Sequence, residues 1–459
     1  MPLLDPADTR PVHFVGIAGA GMSALAELFA RRGTTVSGCD ANLQGAADLR
    51  RLGIALHEGH DPAHVEGARA LVVTSAMPKD HPELARARAL GIPVVRRAEA
   101  LGEAVSGATL VAIAGTHGKT TTTVMTTEAL RAAGLEPTGV VGGRVAAWNG
   151  NLSDGGTERF VVEADEYDRS FLALQPTVAV VTNVEADHLD IYADLADIRA
   201  TFAEFARRAR TIVLCADDAG ANTLPTPSSA EVIRYGIDSP DARLVARDVR
   251  AERGGSAFEA VLDGEALGTV RLRVPGRHNV LNALAALASG LALGATVPEM
   301  APGLGAFGGV ERRFQRLGEA RGVAVVDDYA HHPTEIAATL AAARQAYPGR
   351  RIVAAFQPHL FSRTRDFAPE FGRALSAADS IFLTEIYPAR EQPIAGVTST
   401  LIVSALREAG GPIAWRGDRG RLADALAAAV RDGDVVLTIG AGDITKTGPE
   451  LLERLRGAA

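Results

Sequence analysis

Residues 111–122 read Val-Ala-Ile-Ala-Gly-Thr-His-Gly-Lys-Thr-Thr-Thr, a short apolar run that breaks into a glycine-bounded loop and continues as a helix. Glycines let backbone N–H groups turn toward an anion, and the helix that follows adds the positive end of its dipole. Such a loop holds a nucleoside triphosphate. Gly115, Thr116, His117, Gly118 and Thr121 are expected against the nucleotide, with Lys119 reaching the β/γ-phosphates and the Thr120 hydroxyl binding Mg²⁺. The spacing departs from G-x-x-x-x-G-K-[ST]. Ile113 stands where that pattern has glycine, and only Thr116 and His117 separate Gly115 from Gly118. An ordinary strand–turn–helix junction is the alternative. Gly-Lys-Thr directly after a buried strand is the context the nucleotide reading requires.

The remaining composition bounds the function. At 459 residues the chain is long enough for about three domains of roughly 150 residues each. It is 47% hydrophobic and 22% charged, as soluble globular proteins are, and aromatics are only 5%, so helices are expected to pack through small side chains. The net charge of −8 and the lack of any Lys/Arg-rich block argue against a nucleic-acid partner. Two cysteines, Cys39 and Cys215, cannot form a disulfide framework and fit a reducing, cytoplasmic setting. No signal peptide is read at the N-terminus. The apolar stretch from Val280 to Ala295 is too short to span a bilayer and contains Asn282, so it reads as a buried helix and no membrane partner is expected. Oligomeric state is not legible.

Strands and helices alternate through most of the chain, the rhythm of parallel sheets covered by helices. Strands are expected at Val12–Ile17, Thr35–Cys39, Leu71–Ser75 and Ile92–Val95, with a helix at Met22–Arg32. A second α/β unit opens at Ala108–Ala114 and continues through Phe160–Val162 and Val178–Thr182. Hairpins are expected between about Leu214 and Val274, before a closing helix from His278. A third rhythm runs through Val323–Val326, Ile352–Phe356, Ile381–Thr384 and Val435–Ile439, with Pro302–Gly309 as the linker before it. The expected domains are therefore 1–106, 107–308 and 309–459.

Three strands of the middle unit end in polar clusters. The first ends in the phosphate loop, the second in Glu163-Ala164-Asp165-Glu166, and the third in Thr182-Asn183-Val184-Glu185-Ala186-Asp187-His188. In open α/β sheets, ligands bind outside the carboxyl ends of strands. A carboxylate there would share the Mg²⁺ with Thr120, and a nearby histidine could hold a second ion. The alternative makes Glu163 and Glu166 solvated turn residues and His188 a helix cap.

Gly-Thr-His-Gly-Lys-Thr-Thr, Glu-Ala-Asp-Glu and Asn-x-Glu-x-Asp-His resemble the central-domain signatures of the Mur ligase family, whose members build the peptide stem of bacterial cell-wall precursors. The resemblance extends in order to His13–Ser23, Arg312-Arg313-Phe314-Gln315, Asp327–Glu335 and Phe356-Gln357-Pro358-His359. It implies a Rossmann-like N-terminal domain for the UDP-sugar, a central P-loop-type ATPase sheet and a Rossmann-like C-terminal domain for the amino acid. The implied reaction phosphorylates a substrate carboxylate with ATP, after which an amine attacks the acyl phosphate.

By resemblance, Thr120 and Glu163 hold one Mg²⁺ and His188 a second, with Mn²⁺ as a substitute. Asn183 orients the reacting groups, His278, Asn279 and Asn282 lie against the adenine, and Asp328 contacts the ribose. Tyr329, His331, His359 and Arg363 serve the incoming amino acid, a guanidinium being a natural fork for a carboxylate. The pair His331-His332 before Pro333 also suits a helix N-terminus. Leu360 stands where some relatives carry Arg. No Lys occurs between His188 and Thr211, where several family members carry a modified lysine. This places the resemblance nearest the alanine-adding branch, with UDP-N-acetylmuramate and L-alanine as its substrates.

Gly16-x-x-Gly19-x-Gly21 also follows a strand and opens a helix, and Asp40 ends the next strand. Read alone, this suggests a dinucleotide site and a nicotinamide-dependent oxidoreductase, although the spacing is not G-x-G-x-x-G. The family instead places a sugar-nucleotide pyrophosphate on this loop. Gly16, Ala18, Gly19, Ala20, Gly21, Met22 and Ser23 would cradle it, Asp40 and Ser75 would meet sugar or uridine, and Arg312 and Arg313 would clamp the substrate. Within the family, a recycling ligase that attaches a ready-made peptide to the same sugar nucleotide is the runner-up. The run Gly19–Ser23 favours the alanine-adding branch.

Overall fold

The computed structural model describes residues 2–5, 7–74, 77–389 and 391–457. Its strands fall into three sheets. The first contains β1 (Val12–Val15), β2 (Val36–Asp40), β3 (Ala55–Glu58), β4 (Ala70–Val73) and β5 (Val94–Arg96), ordered β3-β2-β1-β4-β5 and parallel throughout. Side chains alternate across a strand. Phe14 therefore packs edge-on against Phe29 of the helix Ala20–Arg31, with ring centroids 5.6 Å apart, while Val15, Cys39, Leu71 and Val73 build a core with Leu84 and Ala87.

The second sheet holds β6 (Thr109–Ala114), β7 (Thr138–Val145), β8 (Gly150–Ser153), β9 (Arg159–Glu163), β10 (Val178–Val181), β11 (Thr211–Cys215), β12 (Glu231–Gly236), β13 (Leu244–Glu252), β14 (Gly255–Leu262) and β15 (Glu265–Leu272). Its order is β15-β14-β13-β12-β11-β10-β6-β9-β7-β8. β6 lies between β10 and β9 and is parallel to both, so the three strands with polar ends are neighbours. Arg253-Gly254 turns β13 into β14, as the glycine-rich cluster there suggests. The expected buried helix is Arg277–Ala292, in which Ala283, Ala285, Ala286 and Ala288 are fully buried.

The third sheet holds β16 (Gln315–Ala320), β17 (Val323–Asp328), β18 (Ile352–Phe356), β19 (Ser380–Thr384), β20 (Ile413–Gly417) and β21 (Val435–Ile439), ordered β16-β17-β21-β18-β19-β20. Only the β16 edge pair is antiparallel.

The chain divides into two compact units. One comprises Met1–Val249, Ala257–Leu272 and Val280–Gly308; the other comprises Arg250–Ser256, Arg273–Asn279 and Gly309–Ala459. The first therefore contains both the five-stranded sheet and most of the ten-stranded one. The expected linker Pro302–Gly309 needs correcting, because a helix spans Val297–Ala306 and runs through Pro302. A capping box between Thr296 and Glu299 starts it, and Pro302 forfeits only one intrahelical bond. Gly303 lets it approach the helix Lys119–Ala132 so closely that a Cβ there would lie 2.2 Å from the Glu128 carbonyl oxygen. No helix among the described residues is long and apolar enough to cross a membrane.

Candidate active site

β6 ends at Ala114, and the helix Lys119–Ala132 starts five residues later, so the loop between them must turn sharply. Gly115 has φ 140° and Gly118 has φ 83°. A Cβ at Gly115 would lie 1.9 Å from Thr182 Oγ1, and one at Gly118 would lie 2.8 Å from Asn282 Oδ1. The end of β10 grips this loop. Asn183 Oδ1 accepts from the His117 N–H at 2.7 Å, and Asn183 Nδ2 donates to the His117 carbonyl at 3.1 Å. Thr182 Oγ1 donates to the same carbonyl at 2.6 Å, and the Glu185 N–H donates to Thr116 Oγ1 at 2.9 Å. The side chain of Asn183 thus sets the loop's shape. Asn282 lies beneath it, accepting from Thr122 Oγ1 at 3.1 Å.

The loop's charges are already organised. Lys119 Nζ donates to the Gly115 and Thr116 carbonyls at 2.7 and 3.2 Å and to Glu166 Oε1 at 2.8 Å. Burial alone would depress the lysine's pKa, but Glu166 outweighs it and holds the ammonium above its usual value. Burial would likewise raise Glu166, yet Lys119 and His188 keep it below the usual carboxylate range. His188, at φ 54°, brings Nε2 to 3.6 Å from Glu166 Oε1, and Glu166 raises its pKa against the opposing effect of burial.

Glu166 is 3% exposed, so its reading as a solvated turn residue is corrected. Its Oε2 is buried without a hydrogen-bond partner among the described residues. Glu163 accepts from Thr120 Oγ1 at 3.0 Å and from the Gly142 N–H at 2.7 Å. A hydroxyl and a carboxylate are the hard oxygen donors Mg²⁺ takes, so Thr120 and Glu163 fit that ion, with the imidazole of His188 nearby. The glycine cradle, whose Cβ positions are blocked, fits a phosphate chain.

The first glycine loop is built differently. The Gly16 and Ile17 N–H groups donate to the Cys39 carbonyl at 2.8 and 3.0 Å, and Asp40 Oδ2 accepts from the Ala18 N–H at 3.0 Å. Gly19 caps the helix Ala20–Arg31, Met22 is buried behind it, and Ser23 Oγ donates to the Ala20 carbonyl at 2.9 Å. Arg97 was not anticipated. A Cβ on Gly21 would lie 3.0 Å from its Nη1, and its Nη2 donates to Asp165 Oδ2 at 3.1 Å. Ser75 lies outside the described residues.

The second unit gathers the remaining expected residues. Tyr329 is flanked by two guanidinium groups, with Arg312 and Arg313 carbons 4.8 and 5.1 Å from its ring centre. Arg312 pairs with buried Asp327 at 3.3 Å, and Arg313 with Glu335 at 3.4 Å. His331 and His359 face each other edge-on with centroids 5.9 Å apart, and Arg363 Nη1 is 3.4 Å from His359 Nδ1. Tyr387 stacks on His359 at 5.8 Å, a contact with no sequence signal because a loop after β19 supplies it.

His332 is the N-cap of the helix Pro333–Ala346, so the helix-terminus reading holds for that residue, while His331 precedes the cap. Leu360 adopts φ 72° at the start of the helix Phe361–Leu375. Burial pushes Asp328 up to about 6 while it accepts from the Phe314 and Ala330 N–H groups at 2.7 and 2.8 Å. His278 is half-buried, and desolvation with Arg313 nearby lowers its pKa to about 4. Asn279 Nδ2 donates to the Pro275 carbonyl at 2.7 Å.

A mixed sheet in which β6, parallel to both β9 and β10, ends in a Gly-x-x-Gly-Lys-Thr loop flanked by carboxylates from those two neighbouring strands defines a nucleoside-triphosphate-using enzyme of the P-loop type. The chain belongs to the Mur ligase family. Residues 11–109 match that family's "catalytic domain" model, 113–290 its middle domain and 312–442 its glutamate ligase domain. It is 47% identical to the UDP-N-acetylmuramate–L-alanine ligase of Streptomyces avermitilis, covering 99% of both chains. Identity to the ligase of the same name from Cutibacterium acnes is 46%, over 100% of this chain and 98% of that one.

Among solved structures, the UDP-N-acetylmuramate–alanine ligase of Thermotoga maritima matches with a TM-score of 0.83 at 29% identity, covering 98% of this chain and 100% of that one. A murein peptide ligase from Psychrobacter arcticus shares the fold, with a TM-score of 0.71 at 24% identity over 97% of this chain and 98% of that one. The family is ATP-dependent, which implies ATP and a divalent metal. The nicotinamide oxidoreductase alternative is set aside.

Proposed function

We propose that the chain joins L-alanine to the lactyl carboxylate of UDP-N-acetylmuramate using ATP. The products are UDP-N-acetylmuramoyl-L-alanine, ADP and phosphate, in the synthesis of the peptidoglycan precursor and in the cytoplasm. The supporting observation is the ion-pair cluster of Lys119, Glu166 and His188 beside Thr120 and Glu163 at three adjacent strand ends. It occurs in a chain that matches alanine-adding ligases over its whole length. In this reading residues 1–106 take the sugar nucleotide, 107–308 take ATP and 309–459 take the amino acid.

The carboxylate and the γ-phosphate are both anions and must be brought together. Lys119, released from Glu166 when a triphosphate enters the loop, follows the charge that develops on the transferring phosphoryl group. A carboxylate oxygen forms the new P–O bond as ADP departs. The L-alanine amine then attacks the acyl carbon, loses a proton, and the tetrahedral intermediate expels phosphate. Thr120 and Glu163 would hold one Mg²⁺ and His188 a second, Mn²⁺ substituting; the ions supply Lewis-acid neutralisation of the phosphates.

Asn183 keeps the loop in register for the attack. His278, Asn279 and Asn282 would meet the adenine and Asp328 the ribose. Arg363 would fork the alanine carboxylate, with Tyr329, His331 and His359 around the amine. The first glycine loop, with Asp40, would hold the pyrophosphate end of the sugar nucleotide, and Arg312 and Arg313 would clamp it.

Phosphate release with Mg-ATP and UDP-N-acetylmuramate tests this, run in parallel with L-Ala, Gly, L-Ser and a stem tripeptide. Release that depends on L-Ala is expected. Release with tripeptide alone would move the chain to the recycling branch, and no release with any amine would overturn the assignment.

A further inference from the structure

Behind the first glycine loop, on the sheet face opposite the helix Ala20–Arg31, lies a cluster that the ligase reaction does not use. Five of the chain's 11 histidines (His13, His57, His60, His64 and His81) and one of its 2 cysteines fall within this domain. His13 on β1, Cys39 on β2, His64 after β3 and Glu83 in the helix Pro82–Ala89 each offer one ligating atom, and the four atoms lie within 4.8 Å of one another. We propose that His13, Cys39, His64 and Glu83 form a binding site for one transition-metal ion of the Zn²⁺ class.

Hydrogen bonding alone explains part of the cluster. Glu83 accepts from the Cys39 thiol at 3.0 Å, from His64 Nδ1 at 2.8 Å and from the Asp61 N–H at 3.2 Å. It does not explain His13, which is 0% exposed. Its Nδ1 lies 2.9 Å from Ser37 Oγ, while its Nε2 is buried with no hydrogen-bond partner among the described residues. With Nδ1–H donating to Ser37, the Nε2 lone pair is free, the arrangement a ligating histidine needs.

Glu83 is also 0% exposed, with the imidazoles of His64 and His60 against it, their Nδ1 atoms at 2.8 and 3.7 Å. A buried carboxylate is costly unless it is paired or bound to a metal. Soft thiolate and imidazole donors select Zn²⁺ over Mg²⁺, and four protein donors make a closed, structural site. Cys39 carries its thiol proton toward Glu83, so binding must release that proton to solvent as the S–H···O bond gives way to metal–sulfur and metal–oxygen bonds. The Cys39 carbonyl accepts the Gly16 and Ile17 N–H groups, so the ion would brace the base of the first glycine loop.

The test is titration of the metal-free full chain with Co²⁺, without ATP. One equivalent should produce thiolate-to-cobalt charge-transfer absorption, Zn²⁺ should displace it, and Zn²⁺ should raise Tm. The catalytic Mg²⁺ residues include no thiol and cannot give this band. Cys39→Ser should abolish the band, Cys215→Ser should keep it, and His64→Gln should weaken Co²⁺ binding at least about tenfold. Should Cys39→Ser fail to fold, His64→Gln carries the test through the titration midpoint. Absence of the band in the wild-type chain, its survival in folded Cys39→Ser, or an unchanged midpoint in His64→Gln would overturn the proposal. None of these readouts depends on ligase turnover.

Discussion

The two glycine loops share a plan, with a parallel strand, a sharp turn and a helix N-terminus, but they differ in the charges around them. At the first, one carboxylate, Asp40, accepts the Ala18 N–H, and the first helical turn, Ala20 to Ser23, contains no charged residue. At the second, Lys119, Glu166, His188, Thr120 and Glu163 crowd one end of three strands. Glycine curvature and a helix dipole suffice to accept an anion. Transferring a phosphoryl group needs positive charge within the loop and hard oxygen ligands beside it as well; the second loop has Lys119 with Thr120 and Glu163, whereas the cation near the first, Arg97, comes from another helix and is paired with Asp165.

The largest expected effect comes from removing that positive charge. Lys119→Ala should lower kcat for ADP formation by about 10³-fold or more, measured by coupled ADP release, in a chain that still melts cooperatively but at a lower Tm, because buried Glu166 loses its partner. Retained turnover would break the comparison.

Gly115→Ala is next. Its Cβ would meet Thr182 Oγ1 at 1.9 Å on a backbone with φ 140°, so both ATP binding and Tm should fall. Gly16→Ala has φ 77° but nothing within 4 Å, so it should cost only about 1 kcal/mol of stability by chemical melt. Equal damage at both sites would show that the loops are not built differently.

Glu166→Gln removes the carboxylate holding Lys119 and should lower kcat by about 10²-fold with a smaller change in the KM for ATP. A rise in KM alone would assign Glu166 to binding. The smallest effect is Asp40→Asn, in which the Ala18 N–H loses its charged acceptor. The KM for the sugar nucleotide should rise about tenfold, roughly one charged hydrogen bond, with the KM for ATP unchanged.

How much of this was legible varies with distance along the chain. Residues 111–122 announce strand, loop and helix because the apolar run, the glycines and Lys-Thr are contiguous. The meeting of the three polar strand ends follows because parallel strands carry their C-terminal ends to one edge. Glu163-Ala164-Asp165-Glu166 marks a polar strand end in the sequence, yet the burial of Glu166 depends on Lys119 and Tyr192 folding over it, and Tyr192 is 26 residues away. Pro302 read as a linker because proline usually ends a helix, whereas here packing through Gly303 outweighs one lost bond. Pairing of β7 with β8 went unread. Tyr387 reaches His359 only through the third sheet's topology. The cluster of His13, Cys39, His64 and Glu83 spans 70 positions without a local spacing pattern, and strand register together with the short helical turns Pro62–Val65 and Pro82–Ala89 assembles it.

The most direct test of the division between the loops is calorimetric titration of Lys119→Ala with each nucleotide separately. The account predicts that affinity for Mg-ATP falls at least about 100-fold while affinity for UDP-N-acetylmuramate stays within about twofold of wild type. Equal loss of both, or loss of the sugar nucleotide alone, would contradict it.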